Sequence, residues 1–165
     1  MYQDYKDLLS AFRSHGVKYL IVGGYAVILH AQPRFTRDID FFVKADRANV
    51  RALYSALADF GAPPGGLRAE DFEEPGSFFR FGRDPFGFDI LPEPEGVQFD
   101  AAWENRIESV IDPESGLTAY FISASDLIAA KLAAGRPQDI ADAEAVRKAM
   151  EAKQRLSSSD TDGTQ

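Results

Sequence analysis

The hydrophobic and polar positions along this chain follow two spacings, one typical of helices and one typical of strands. Residues 4–14 repeat apolar side chains at helical spacing, which predicts a first amphipathic helix. Residues 17–22 form a short apolar run rich in β-branched side chains, which predicts a buried strand. Gly23 and Gly24 follow directly, and the apolar residues after them predict a second helix that ends before Pro33.

The rest of the pattern mixes strands and helices. It predicts strands at 38–43, 77–81, 86–91, 106–111 and 117–122, and helices at 47–60, 98–104, 123–134 and from 137 to about 156. This mixture indicates an α/β or α+β fold, with a mixed β-sheet flanked by helices and with helices at the C-terminal end. The polar residues 157–165 predict a disordered tail, so that residues 1–156 form a single domain.

Composition narrows the class of protein. The 165 residues are 45% hydrophobic, and 13 phenylalanines predict a core with many aromatic side chains. The absence of cysteine excludes disulfides and thiolate metal sites. The net charge of −8 argues against a surface that binds long nucleic acids through contacts to many phosphates. No stretch approaches the roughly 18 apolar residues that a membrane span needs, so we expect a cytoplasmic protein without a membrane partner.

Three carboxylates lie in hydrophobic, strand-like surroundings. Asp38 and Asp40 flank Ile39 and therefore point to the same face of a strand, and Asp89 lies inside a later apolar run. A carboxylate within a strand is costly to bury unless a positive charge pairs with it. A divalent cation can pair with all three, and oxygen-only ligands favour magnesium or manganese.

Each of these features also has a simpler explanation when it stands alone. An Asp-x-Asp at a strand end is usually a solvated loop or a helix cap, and a single Asp in a strand is often an edge residue or a partner for arginine. A Gly-Gly pair is common in turns, but glycines before a helix also let the backbone approach a phosphate at the helix N-terminus. The order strand, Gly23-Gly24, helix, Asp38, Asp40 and Asp89 favours a triphosphate site beside a metal site.

This order resembles the DNA polymerase β-like nucleotidyltransferase superfamily. The segment VGG (22–24), a 13-residue spacer and DIDF (38–41) fit the superfamily's first motif position by position, and FDI (88–90) fits its third carboxylate. A closer resemblance, over roughly residues 17–148, is to the AbiEii-like branch, which includes toxins of bacterial toxin–antitoxin systems. The segments RFTRDID (34–40), DLIAAKL (126–132) and RPQDIAD (136–142) carry this second resemblance.

The resemblance implies a nucleotidyltransferase-type mixed sheet and a metal-dependent reaction. In that reaction a nucleoside monophosphate moves from a nucleoside triphosphate to an acceptor hydroxyl, and pyrophosphate is released. Asp38, Asp40 and Asp89 would be the catalytic residues and would hold two Mg²⁺ ions, with Mn²⁺ as an alternative. The residues implied to bind the nucleotide are Gly23, Gly24, Arg34, Thr36 and Lys131.

Several polar residues near these motifs have alternative interpretations. Lys131 is either a ligand of the triphosphate or an exposed helix lysine. Arg136 and Asp139 match the late motif, but a structural ion pair that ties the last helix to the domain is as good an explanation. Arg80, within the predicted strand at 77–81, is a candidate to face Asp40 or Asp89.

The acceptor stays open at this point. The resemblance implies tRNA as acceptor and an antitoxin protein as partner, whereas the acidic composition favours a protein or a cationic small molecule such as an aminoglycoside. A metal-dependent glycosyltransferase is a rival, but the glycine pair and the third carboxylate argue against it. A family member that only binds a partner protein is the non-enzymatic alternative.

Overall fold

The computed structural model describes residues 1–62, 65–74, 76–82, 87–91 and 94–161. Its helices are α1 (Gln3–Ser14), α2 (Gly23–His30), α3 (Arg47–Phe60), α4 (Phe99–Glu104), α5 (Ala124–Ala134) and α6 (Pro137–Thr161), with a 3-10 turn at Ala69–Glu73. Its strands are β1 (Tyr19–Val22), β2 (Ile39–Val43), β3 (Phe79–Phe81), β4 (Phe88–Leu91), β5 (Ile107–Asp112) and β6 (Leu117–Phe121).

The strands form one mixed sheet in the order β3-β4-β2-β1-β6-β5. The central strand β1 runs antiparallel to β2 and parallel to β6, and β2 runs parallel to β4. The pairs β3–β4 and β5–β6 are antiparallel and form the two ends of the sheet. The predicted fold class, a mixed sheet flanked by helices with helices at the C-terminal end, is confirmed.

Aromatic and aliphatic side chains fill the core, as the composition predicts. Phe41 and Phe42 of β2 are fully buried, and the ring of Phe12 from α1 meets Phe41 at a centroid distance of 5.1 Å. The ring of Phe99 from α4 meets Phe42 at 5.0 Å. Because successive residues of a strand point to opposite faces, these two contacts show that both faces of β2 are covered.

The element boundaries differ from the predicted ones at a few places. The 3-10 turn at Ala69–Glu73 was not predicted, and the turn predicted between β3 and β4 falls largely on residues 83–86, which lie outside the described residues. Helix α6 continues to Thr161, so residues 157–161 of the predicted tail are helical. At the start of this extension, the hydroxyls of Ser157 and Ser158 donate hydrogen bonds of 2.9 Å to the carbonyl oxygens of Gln154 and Arg155, one turn earlier in the helix. Among the described residues, no helix combines the length and apolar character needed to cross a bilayer.

Candidate active site

The three predicted carboxylates meet at one end of neighbouring strands. Asp40 of β2 lies directly beside Asp89 of the parallel strand β4, and Asp38 immediately precedes β2. Val22 pairs with Asp40 on the other side, so that β1, β2 and β4 contribute adjacent residues to one row across the sheet. We call Asp38, Asp40 and Asp89 the carboxylate edge.

The glycine pair makes room for this edge. Gly23 is the first residue of α2 and has a φ of 61°, a backbone conformation that strongly favours glycine. A Cβ at Gly23 would overlap Oδ2 of Asp40, and a Cβ at Gly24 would lie 2.5 Å from the hydroxyl of Thr36. Both glycines therefore let the loop before β2 and the Asp40 side chain approach the N-terminus of α2.

The carboxylate edge carries more negative charge than its surroundings neutralise. Burial and the neighbouring Asp89 raise the pKa of Asp40 to about 7, and burial also raises the pKa of Asp89. One buried oxygen of Asp38 and one of Asp89, the Oδ1 atom in each, have no hydrogen-bond partner within the described structure. Such oxygens are costly unless a ligand or ion satisfies them.

Arg80 provides part of the missing positive charge. Its guanidinium lies 2.9 Å from Asp38 and 3.7 Å from Asp89. The predicted partner Asp89 is confirmed, and it is the direct neighbour of Arg80 across the β3–β4 pair. The main partner, however, is Asp38 rather than Asp40, because the loop before β2 brings Asp38 towards β3.

A second charged group, from α5 and α6, faces the same edge of the sheet. Lys131 lies 2.9 Å from Asp139 and 3.0 Å from Asp142, and both of these aspartates are almost fully buried. Arg136 binds Asp139 at 2.6 Å, and Arg34 binds Asp142. We call Lys131, Asp139 and Asp142 the lysine cluster.

The lysine cluster bears on two alternatives left open by the sequence. The side chain of Lys131 is 12% exposed, so the exposed-lysine interpretation is wrong. The predicted ion pair between Arg136 and Asp139 is present, but it joins two residues at the start of α6 and does not itself tie that helix to the rest of the domain. Burial acts to raise the pKa of Asp139 and of Asp142. Hydrogen bonds and charge from Lys131, together with Arg136 at Asp139 and Gln138 at Asp142, outweigh this effect and hold both pKa values below the usual one.

One cleft of about 680 Å³ joins the two groups. All the residues that the sequence singled out for catalysis or nucleotide binding line it: Asp38, Asp40, Asp89, Gly23, Gly24, Arg34, Thr36 and Lys131. Sequence reasoning did not single out Arg37, Phe78 and Gln138, which also line the cleft. Gln138 donates a hydrogen bond of 2.9 Å to Asp142, and this i,i+4 spacing on α6 was the signal that could have indicated the contact.

The match with a protein family shows the class of protein to which this chain belongs. The profile of the family described as "Nucleotidyltransferase of unknown function (DUF6036)" matches residues 3–152, which include both charged groups. The chain belongs to this nucleotidyltransferase family. Among curated proteins, none matches the sequence.

In this nucleotidyltransferase, Tyr5 of α1 ties the active-site loop to the sheet. Its buried hydroxyl lies 2.7 Å from the carbonyl oxygen of Arg37 and 2.8 Å from that of Gly87, and its single proton can be donated to either. Burial raises the pKa of Tyr5 well above its usual value, so the hydroxyl keeps this proton. The contact fixes the backbone on both sides of the carboxylate edge, just before Asp38 and just before β4.

The two histidines of the nucleotidyltransferase lie away from the carboxylate edge. His15 follows the last residue of α1 and contacts Asp59 at 2.6 Å, and His30 ends α2 and contacts the carbonyl oxygen of Ile122 at 2.7 Å. Within the described part of the chain, no three carboxylate, imidazole or thiolate side chains already surround a common point as metal ligands. At the carboxylate edge, Arg80 binds two of the three carboxylates instead.

Proposed function

We propose that this protein transfers a nucleoside monophosphate from a nucleoside triphosphate to an acceptor hydroxyl, with divalent cations bound at the carboxylate edge. The observation that carries the proposal is the side-by-side position of Asp40 and Asp89 next to the glycine N-terminus of α2. A helix N-terminus attracts phosphate, and adjacent carboxylates attract cations. This pairing supports a metal–triphosphate ligand and agrees with the family to which the chain belongs.

The donor atoms at the edge fit magnesium or manganese. They are all carboxylate oxygens, and one oxygen of Asp38 and one of Asp89 lack a hydrogen-bond partner within the described structure. Arg80 pairs with the same two carboxylates, so cation binding requires these side chains to turn away from the guanidinium. Asp38, Asp40 and Asp89 would then hold two Mg²⁺ ions.

The carboxylate edge also provides an acceptor for the proton that the attacking hydroxyl loses. Mg²⁺ held by these carboxylates would lower the pKa of the acceptor hydroxyl and would neutralise charge on the triphosphate and the departing pyrophosphate. Asp89 is 7% exposed and lies beside Asp40, where it receives the proton from the acceptor hydroxyl. The acceptor oxygen forms a bond to the α-phosphorus, and the bond from that phosphorus to the bridging oxygen of pyrophosphate breaks.

The basic side of the cleft holds the phosphates. An ammonium group has three N–H donors, and Lys131 donates one of them to Asp139 at 2.9 Å and lies 3.0 Å from Asp142 in an ion pair. These two contacts leave a donor for a phosphate oxygen in the cleft that Lys131 lines together with Gly23 and Gly24. Because the two buried aspartates fix the lysine, binding costs little side-chain entropy.

For the acceptor, the AbiEii-like segments at 34–40 and 126–142 support RNA, and we propose tRNA. A toxin role with a protein antitoxin as partner belongs to the same proposal. Modification of a protein or of a small molecule such as an aminoglycoside is the alternative, since the net charge of −8 suits a cationic acceptor.

The test is transfer of label from each α-³²P nucleoside triphosphate, with magnesium, to total RNA, to cell protein and to an aminoglycoside. Asp40→Asn removes one cation ligand with little change in shape, and Asp4→Asn, on the exposed face of α1, is the matched control. Label in tRNA that Asp40→Asn abolishes and Asp4→Asn preserves is the expected result. Label in protein or in the aminoglycoside would show that this molecule, and not tRNA, is the acceptor. No transfer to any acceptor would refute the enzymatic proposal.

A further inference from the structure

A second hollow adjoins the active-site cleft. It has a volume of about 400 Å³, and it shares Arg34 and Thr36 with the cleft. The remaining side chains that line it are mostly aromatic or aliphatic: Met1, Tyr2, Tyr25, Ile28 and Phe35. We call this the rim hollow. A ligand that fills it can reach the carboxylate edge past the shared wall.

Phe35 is the most exposed large hydrophobic residue described. It is 79% exposed, in a chain where the other phenylalanines of the same strand–loop region, Phe41 and Phe42, are fully buried. The guanidinium of Arg37 lies 5.8 Å from the centre of its ring, within the range of a cation–π contact. An exposed ring with an arginine beside it is the arrangement that proteins use to stack an unpaired base.

Arg37 differs from the other cations of the cleft. Four basic residues line the cleft, and three of them, Arg34, Lys131 and Arg136, form ion pairs with Asp139 or Asp142. Within the described structure, Arg37 has no carboxylate within ion-pair distance. Its positive charge is therefore available to a ligand, and Tyr5 holds its backbone in place through the carbonyl oxygen.

We propose that the rim hollow binds one unpaired nucleotide of a single-stranded nucleic-acid acceptor, with its base stacked on Phe35 and its phosphate bound by Arg37. The inference rests on the proposed function, because it assigns the triphosphate to the neighbouring cleft with its glycines and carboxylates. A single uncommitted arginine can bind one phosphate of a flexible strand, whereas the net charge of −8 argues against the many phosphate contacts of a long duplex. The phosphate of this nucleotide would lie towards the cleft and its base towards the hollow, because Arg37 lines the cleft and Phe35 lines the hollow.

The experiment measures binding of a short, fluorescein-labelled single-stranded RNA by anisotropy, with the wild-type protein and without nucleotide, so that it does not depend on turnover. Phe35→Ala is expected to weaken RNA binding roughly tenfold, the usual effect of losing one stacked base. Phe35→Trp restores stacking and is expected to bind like the wild type. Arg37→Ala is expected to weaken binding and to lower the slope of log affinity against log salt by about 0.7, the share of one phosphate on a single strand.

The matched control is Arg51→Ala, which removes an exposed arginine of α3 that does not line the cleft. Calorimetric titration of each variant with a nucleoside triphosphate and magnesium is the second arm. Triphosphate affinity is expected to stay unchanged in Phe35→Ala, because Phe35 does not line the cleft that we assign to the triphosphate. Arg37 lines that cleft as well, so Arg37→Ala is judged by the salt dependence of RNA binding and not by triphosphate affinity. Loss of RNA binding in these two variants, with Arg51→Ala unaffected, supports the proposal.

Two outcomes overturn the inference. If RNA does not bind, or if it binds all variants equally, the rim hollow is not the binding site of an acceptor nucleotide. Weakened triphosphate binding in Phe35→Ala, with RNA binding intact, assigns the stacked base to the incoming nucleotide instead. Failure of the proposed function is separate from both, because it shows as the absence of triphosphate binding by the wild-type protein.

Discussion

The carboxylate edge and the lysine cluster each bring buried aspartates to the same cleft, but their charge balance is opposite. At the edge, Asp40 has a pKa raised to about 7, and burial also raises the pKa of Asp89. In the lysine cluster, Asp139 and Asp142 have lowered pKa values and share the ammonium of Lys131.

This difference separates two uses of buried charge. A group of carboxylates short of positive charge weakens the fold until a ligand supplies that charge, and such perturbed groups concentrate at functional sites. A group of buried carboxylates that already has its cations holds two helices together, and the protein loses stability when one of those cations is removed. The comparison predicts that isosteric changes at the two groups affect activity and stability in opposite ways.

The largest effect is expected for Asp40→Asn. The change removes a cation ligand, so nucleotidyl transfer is expected to fall by roughly 10²–10³-fold, as for the loss of one electrostatic contact to a transition state. The same change removes a buried, poorly neutralised charge, so the metal-free protein is expected to become more stable. Rates of label transfer and the free energy of unfolding in urea measure the two quantities. A variant that loses activity and stability together would contradict the comparison.

Lys131→Met is expected to have the next largest effect, and on stability. It leaves two almost fully buried aspartates without their shared ammonium, at a cost of about 3 kcal/mol in the free energy of unfolding. The control Lys148→Met removes an exposed lysine of the same helical layer and is expected to change stability little. Equal effects of the two variants in urea unfolding would show that the lysine cluster does not hold α5 to α6.

The pH dependence of stability is expected to have opposite signs at the two groups. Asp40 has a raised pKa in the folded protein, so its contribution is present below about pH 4 and is lost as the pH rises through 7. The stability of the metal-free wild type relative to Asp40→Asn is therefore expected to fall between about pH 4 and pH 7, by a few kcal/mol.

For Asp139 and Asp142 the sign reverses. Their pKa values are lowered in the folded protein, so their contribution is present above about pH 4 and is lost as the pH falls through the folded values. The cost of Lys131→Met is expected to be full at neutral pH and to shrink in acid. Urea unfolding of the wild type and both variants across pH separates the groups, and parallel pH profiles for all three proteins would rule out the two assignments.

The smallest effect is expected for Arg136→Ala. Arg136 binds Asp139 at 2.6 Å, but its side chain is 77% exposed and Asp139 keeps Lys131 as a partner. Removing it is expected to cost up to about 1 kcal/mol in the free energy of unfolding. A cost as large as that of Lys131→Met would mean that the surface arginine, and not the buried lysine, neutralises the cluster.

The sequence predicts the parts of this structure in which local pattern and burial agree. The apolar runs around Asp40 and Asp89 identify both strands, and their common position beside the glycines follows from the order of elements. The predicted start of the helix at 123 also agrees with a local signal, because the Ser123 hydroxyl caps α5 by accepting a hydrogen bond from the backbone N–H of Asp126 at 3.1 Å. These features are local, or follow from a strand's two-residue period.

Other parts depend on contacts between distant residues that no local pattern reveals. Tyr5 reaches Gly87 across 82 positions, and Arg80 prefers Asp38 because of the path of an irregular loop. Phe35 lies in that same loop, which has no periodicity to distinguish an exposed ring from a core residue. Asp142 repeats three positions after Asp139, so their common helix face was readable, but their burial depends on Lys131 and Arg34 from other elements.

The most direct test of the central claim is titration of the protein with Mn²⁺, followed by electron paramagnetic resonance, with and without a nucleoside triphosphate. The account predicts protein-bound Mn²⁺ that increases with the triphosphate and is lost in Asp40→Asn, while Asp4→Asn binds like the wild type. If Asp40→Asn binds Mn²⁺ and triphosphate as the wild type does, the carboxylate edge is not the metal site and the proposed mechanism is wrong.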